Sequence, residues 1–281
     1  MNKTSIEWVR NPDGTPGYTF NPITGCLNHV NGLCKGGGFP CYAYKLANGR
    51  LKQRYLANKN LSHDYLEIKR GFNREPEPFQ DPFYPRFWPE KISGELNQRS
   101  SANRVKAKGI FVCDMSDLFG IGIPEEETRQ VLDKIRMRSY HRFYLLTKQP
   151  QNLVKFSPFP DNCWVGVTAT NSWAFIDAMF WLRQVDAKVK YLSMEPLQEQ
   201  ILPHYIGGIE GINWLIIGAQ TKPYKPPKIE WVKEIVDAAD KAEVPVFLKD
   251  NLIPMFEKAD YFSTPEWALD NKRYYRQELP V

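Results

Sequence analysis

GIFVCDMSDLFGIGIPEEETRQVLDKIRMRSYHRFYLLTKQPQNLVKFSPFPDNCWVGVTATN, residues 109–171, carries the clearest fold signal in the chain. It contains three short apolar runs, Gly109–Met115, Arg142–Thr147 and Cys163–Thr168. Runs this short and this continuously apolar read as strands buried on both faces of a parallel sheet. Between the first two lies Glu125–Arg138, opened by Pro124 and three glutamates and closed by Arg136 and Arg138. Those charges complement a helix dipole, and Val131, Leu132 and Ile135 give the segment an apolar stripe.

The same rhythm continues in both directions. Tyr18–Thr24 precedes the stretch, and Val189–Met194, Asn213–Gly218 and Val244–Leu248 follow it, which makes about seven strands. Ile229–Lys241 repeats the helix design with Trp231, Ile235, Val236 and Ala239. Alternating strands and helices predict an α/β fold with a parallel sheet, either open and doubly wound or rolled as a (β/α) partial or full barrel. The barrel domain is placed at residues 1–257. It carries a Pro/aromatic-rich insertion near 72–92 that covers one end or acts as a lid. Residues 258–281 form a C-terminal extension, packed on the domain or solvated.

Each strand ends in chemically useful residues: Asp114, Ser116 and Asp117; Thr147 and Lys148; Thr168 and Thr170; Glu195; Gln220; Lys249 and Asp250. Sites of parallel α/β folds lie at the carboxyl ends of their strands, so these residues are expected to share one face. The chain's 42% hydrophobic and 25% charged residues are those of a globular protein with a substantial core. A net charge of +5 permits an anionic partner without demanding one. No apolar run has the length of a membrane span, and MNKTSIEWVRNPDG has no apolar signal core, so the expectation is a cytoplasmic protein with no membrane partner.

Three of the five cysteines, Cys26, Cys34 and Cys41, crowd into FNPITGCLNHVNGLCKGGGFPCYA after the first strand. An odd count and a reducing setting argue against a disulfide framework. Two metal chemistries remain open. With His29 the loop reads as a Cys3His zinc set, which suits a non-catalytic nucleic-acid module. Without it, three thiolates suit a [4Fe–4S] cluster whose fourth iron is open. S-adenosyl-L-methionine can chelate such an iron and be cleaved by one electron, giving a 5′-deoxyadenosyl radical. The loop's position on the carboxyl-end face favours the cluster.

TSIEW, NPITGC, the third cysteine followed by YA, FVCDMSDLFG, LLTKQP, VGVTATN, YLSMEPL and WLIIGAQT together resemble the phage-associated three-cysteine-motif proteins, a divergent radical SAM-like family near spore photoproduct lyase. The resemblance runs from about Thr4 to Asp250. It implies a radical SAM enzyme in which Cys26, Cys34 and Cys41 hold the cluster and Asp114, Ser116 and Asp117 meet the amino group of the cofactor. It further implies Lys148 for the carboxylate, Thr168 and Thr170 for the ribose, and Glu195 as a further contact. An electron donor such as flavodoxin or ferredoxin follows, and the substrate leans towards a nucleic acid or nucleotide. The common motif is C-x3-C-x2-C, whereas here the gaps are seven and six residues, with KGGGFP in the second. A mostly glycine insertion of this kind is expected to loop out.

Overall fold

The computed structural model describes residues 1–62, 78–94, 106–258, 264–272 and 274–280. Its centre is an eight-stranded sheet. The strands are β1 (Asn2–Lys3), β2 (Tyr18–Phe20), β3 (Gly109–Val112), β4 (Arg142–Thr147), β5 (Cys163–Thr168), β6 (Val189–Met194), β7 (Trp214–Ile217) and β8 (Val246–Leu248), side by side in that order. All neighbours from β2 onward are parallel, and β1 alone is antiparallel. The order never reverses, so the sheet is not doubly wound. Right-handed crossovers then put the long helices that follow β3, β5 and β7 on one face.

The sheet curls without closing. Neighbouring strands lie about 4.8 Å apart, so β3 and β7, four steps apart, would be on the order of 19 Å apart in a flat sheet. Yet the Trp8 ring lies 4.9 Å from Phe111 on β3 and 6.2 Å from Trp214 on β7. A full barrel is not formed among the described strands, because both edges are occupied by terminal segments. On one edge β1 pairs with β2. On the other, the C-terminal segment runs antiparallel along β8: Leu248 N–H donates to the Arg276 carbonyl at 2.8 Å, and Glu278 N–H to that of Val246 at 3.1 Å. Of the C-terminal extension, residues 259–263, 273 and 281 lie outside the described residues.

Period-2 alternation sorts each strand's side chains between two cores. Ile110, Val112, Phe143, Leu145, Val165, Val167, Leu192, Met194, Leu215, Ile217, Val246 and Leu248 face the helices. Phe111, Tyr144, Trp164, Tyr191, Trp214 and Phe247, one from each of β3 to β8, face inward around Trp8. Gly166 makes room in this layer, since a Cβ there would lie 2.3 Å from the Tyr191 ring.

After the cysteine loop come two short helices, α1 (Tyr42–Asn48) and Lys52–Ala57, broken at Gly49. The helices α2 (Glu125–Arg136), α3 (Ser172–Leu182) and α4 (Ile229–Lys241) cover the outer face. Residues 72–77 of the expected insertion lie outside the described residues. Its described part is organised by Arg86, which is fully buried. The Arg86 guanidinium donates to the carbonyls of Asn58 (3.1 Å), Asp81 (2.7 Å), Tyr84 (2.8 Å) and Pro78 (3.1 Å). These bonds satisfy the buried charge and fix the loop as a wall beside the cysteines.

Candidate functional site

The cysteine loop leaves β2 and is pinned at its base to the neighbouring strand end. Gly25 N–H donates to the Met115 carbonyl at 2.9 Å, and the Ser116 hydroxyl donates to the Gly25 carbonyl. Cys26 N–H bonds to the Phe83 carbonyl at 2.9 Å, so the aromatic insertion forms the loop's second wall. His29–Val30 and Leu33–Cys34 form a small hairpin, and Cys41 N-caps α1.

Two of the three thiols accept a backbone N–H: Asn28 donates to Cys26 Sγ at 3.3 Å and Tyr44 to Cys41 Sγ at 3.5 Å. Bonds of this kind stabilise thiolates at iron–sulfur sites. Burial pushes the Cys26 thiol up, and Asp117, Cys34 and Cys41 push it in the same direction. Burial also raises the Cys34 thiol, whereas the Lys148 ammonium pulls it down. The thiols therefore share one electrostatic neighbourhood. As the loop stands, no three His, Cys, Asp or Glu side chains among the described residues are arranged to hold a metal ion. The donor chemistry fits a soft metal or an iron–sulfur cluster, and the hairpin would have to close to bring the sulfurs together.

His29 has other contacts. Its ring packs at a tilt against Tyr44 (5.0 Å) and Phe83 (5.2 Å), and its Nδ1 accepts the Gly32 N–H at 3.3 Å. These contacts hold the hairpin against α1 and the insertion.

The glycine-rich segment does not loop out. A Cβ on Gly36 would lie 3.1 Å from Lys148 Cβ, and one on Gly37 would lie 2.8 Å from Gln198 Oε1. The insertion between Cys34 and Cys41 is thus packed over the strand ends, and glycine is what allows the backbone to approach. Beneath it is a cavity of about 270 Å³, bounded by Lys35, Gly36, Lys148, Thr168, Thr170 and Trp173. Thr168 and Thr170 are 6% and 1% exposed, and neither hydroxyl oxygen has a hydrogen-bond partner among the described residues. A buried hydroxyl left unpaired costs free energy, and such groups call for an explanation.

The other strand-end residues sort differently. Asp117 is saturated: Oδ2 accepts from the Thr147 hydroxyl (3.0 Å) and Lys148 N–H (2.9 Å), and Oδ1 from Phe119 N–H (3.1 Å). Burial still pushes its carboxyl up. Asp114 Oδ1 accepts from Asn21 Nδ2 at 2.6 Å, its carbonyl accepts the Tyr42 hydroxyl, and burial raises its carboxyl too. Asp114, Ser116 and Asp117 thus brace the loop and the end of β4. Glu195 stands apart, bonded to Lys249 Nζ, which lies 4.0 Å from Glu7. Lys148, Thr168 and Thr170 are the sequence-predicted residues that line one cavity. The sequence reading missed Trp173 and Asp177 on its rim and Glu7 beside Lys249. Trp173 had a legible signal: it falls opposite the stripe Phe175, Ala178, Met179 and Leu182 that α3 buries.

A family model described as "Protein of unknown function (DUF5131)" matches residues 3–255. The chain belongs to that family. No curated protein matches the sequence. Among solved structures the chain is similar to spore photoproduct lyase. A point mutant of that enzyme aligns at 12% identity and a TM-score of 0.48, covering 88% of this chain and 78% of that one. A mutant with bound AdoMet and dinucleoside spore photoproduct gives 14%, 0.42, and coverages of 83% and 63%. The enzyme complexed with dinucleoside spore photoproduct gives 15%, 0.39, and coverages of 78% and 59%. The chain thus spans 59% of that last structure's length. Likeness at this level transfers no residue role. Among the described residues no helix is long and apolar enough to cross a membrane.

Proposed function

We propose that this protein is a radical SAM-type enzyme, working in a reducing cytoplasm on a nucleic acid or nucleotide. The observation that carries the reading is one cavity under the cysteine-bearing hairpin lined by Lys148, Thr168 and Thr170, whose two threonine hydroxyls are buried and unpartnered among the described residues. A ligand with hydroxyls and a carboxylate would satisfy all three groups and lie against the cysteine loop.

Cys26, Cys34 and Cys41 would hold a [4Fe–4S] cluster. When bound, such a cluster supplies one electron, drawn from a donor such as flavodoxin or ferredoxin, to the sulfonium of S-adenosyl-L-methionine. The chain's own residues do the rest. Lys148 offers an ammonium to the carboxylate as a point charge. Thr168 and Thr170 orient the ribose. Ser116 and Asp117 keep the loop and Lys148 in place. Gly36 and Gly37 cover the cavity and exclude water. Glu195 and Lys249 present a paired acid and base at the other side of the strand-end face, where the substrate would sit.

Anaerobic purification with iron, sulfide and zinc analysis, followed by S-adenosyl-L-methionine and dithionite, tests the reading. Brown protein that yields 5′-deoxyadenosine is expected, with iron lost in Cys26→Ser, Cys34→Ser and Cys41→Ser but kept in His29→Phe. Colourless protein with one zinc per chain, after anaerobic reconstitution has also failed, would overturn it.

A further inference from the structure

The rim of the strand-end cavity carries a residue that the cysteine chemistry leaves unexplained. Trp173 is 80% exposed, the most exposed large hydrophobic side chain among the described residues. Its helix α3 begins at the N-cap Asn171, whose side chain accepts the Ala174 N–H at 2.9 Å. The buried side of α3 is Phe175, Ala178, Met179 and Leu182, so Trp173 and Asp177 fall on the opposite side, one turn apart. Both line the cavity. An indole left in water forgoes a large apolar burial, and aromatic faces of this kind are characteristic surfaces for stacked bases.

Size points the same way. The cavity holds about 270 Å³, below the ~300–1,000 Å³ usual for small-molecule sites. A nucleoside-bearing ligand anchored at Lys148 therefore does not fit wholly inside. Its far end must overhang the rim, where Trp173 stands.

We propose that Trp173 is the stacking surface for the purine ring of an adenosyl ligand, with Asp177 accepting a hydrogen bond from the exocyclic amino group. This rests on the reading of the cavity as a cofactor site. One cavity is lined by an ammonium at Lys148, the threonines Thr168 and Thr170, an aromatic face at Trp173 and a carboxylate at Asp177. An adenosyl amino acid offers the complementary series of carboxylate, ribose, purine and amino group. Asp177 Oδ1 already accepts from Trp181 Nε1 at 2.9 Å, which fixes the carboxylate and leaves Oδ2 without a partner among the described residues.

The probe is S-adenosylhomocysteine, titrated calorimetrically against the full chain. Trp173→Ala is expected to bind it about 10- to 100-fold more weakly than the parent protein, with Trp173→Phe recovering most of the loss. The parent should also prefer this ligand over its 6-oxo counterpart, S-inosylhomocysteine, and Asp177→Ala should erase that preference. Equal affinity in the parent and Trp173→Ala overturns the stacking role while leaving the cofactor site standing. Failure of the folded parent to bind S-adenosylhomocysteine at all overturns both. Trp173 is too exposed for its loss to unfold the chain, and unchanged circular dichroism checks this.

Discussion

The inner face of the sheet is two regions made by the same strands. Its lower region is the aromatic layer around Trp8; its upper region is the strand-end face. Four residues beyond Tyr144 is Lys148, four beyond Trp164 is Thr168, four beyond Tyr191 is Glu195, and two beyond Phe247 is Lys249. An even spacing keeps a side chain on the same side of a pleated strand, so both regions belong to one alternating pattern. They differ in how their polar atoms are treated. In the lower region the Tyr144 hydroxyl donates to the Arg10 carbonyl (2.9 Å), the Tyr191 hydroxyl to that of Leu145 (3.0 Å), and Trp214 Nε1 to that of Glu278 (2.8 Å). The exception is Trp8 Nε1, which has no partner. In the upper region two buried threonine hydroxyls are unpaired beside a lysine and a cavity. The lower region pairs all but one of these polar atoms within the chain, whereas the upper region leaves two neighbouring hydroxyls unpaired beside a cavity.

Substitutions in each region test that contrast. The largest effect is expected from Trp8→Ala, which empties the centre of the aromatic layer and should cost about 3–5 kcal/mol in urea unfolding. Next comes Gly166→Ala. Its Cβ would lie 2.3 Å from the Tyr191 ring, and overpacking of this kind should cost about 1–3 kcal/mol. Tyr191→Leu in the same chain should recover part of the loss, which identifies the ring as the cause.

A pH effect follows from His141, at the start of β4. Its Nδ1 accepts the Lys108 N–H at 3.1 Å, and burial pushes the imidazole down to about 4, with Lys108 and Arg138 adding to the shift. The unfolded chain takes up this proton first, near pH 6.5. The contribution is therefore whole above about pH 6.5 and is lost as the pH falls towards 4. His141→Asn should flatten the fall of Tm over that window, an effect on the order of 1–2 kcal/mol.

The smallest stability effect belongs to the upper region. Thr170→Val removes a hydroxyl that has no partner and should leave stability within about 0.5 kcal/mol of the parent. Combined with Thr168→Val, it should weaken S-adenosylhomocysteine binding measurably by calorimetry. A large loss of stability in Thr170→Val would erase the distinction between the two regions.

Much of the fold was legible because burial on both faces leaves a strand no choice but a continuous apolar run. β3 to β8 and the helices α2 and α4 stand where those runs and stripes predict them. β1 was not legible: two exposed residues, Asn2 and Lys3, carry no pattern. The candidate site was legible as a face, since strand ends in a parallel sheet must share one. Its division of labour was not. Asp117 and Lys148 both read as polar strand ends, yet one is saturated by three protein donors and the other borders a cavity. The KGGGFP segment read as an insertion free to loop out, and only its contact with Lys148 and Gln198 reveals it as a cover.

Local pattern alone accounts for the alternation of strands and helices, the parallel sheet, and the placing of three cysteines and a set of polar residues on its carboxyl-end face. These follow from local periodicity and from chain connectivity. Long-range packing settles that the sheet stays open, that His29 packs against Tyr44 and Phe83, and which hydroxyls stay unpaired among the described residues. Each of those outcomes depends on which distant groups meet: the C-terminal segment reaching the edge of β8, Phe83 reaching His29, and no donor or acceptor reaching Thr168 and Thr170. Periodicity along the chain fixes the face a side chain points to, but the partner that meets it there is set by packing between segments far apart in sequence.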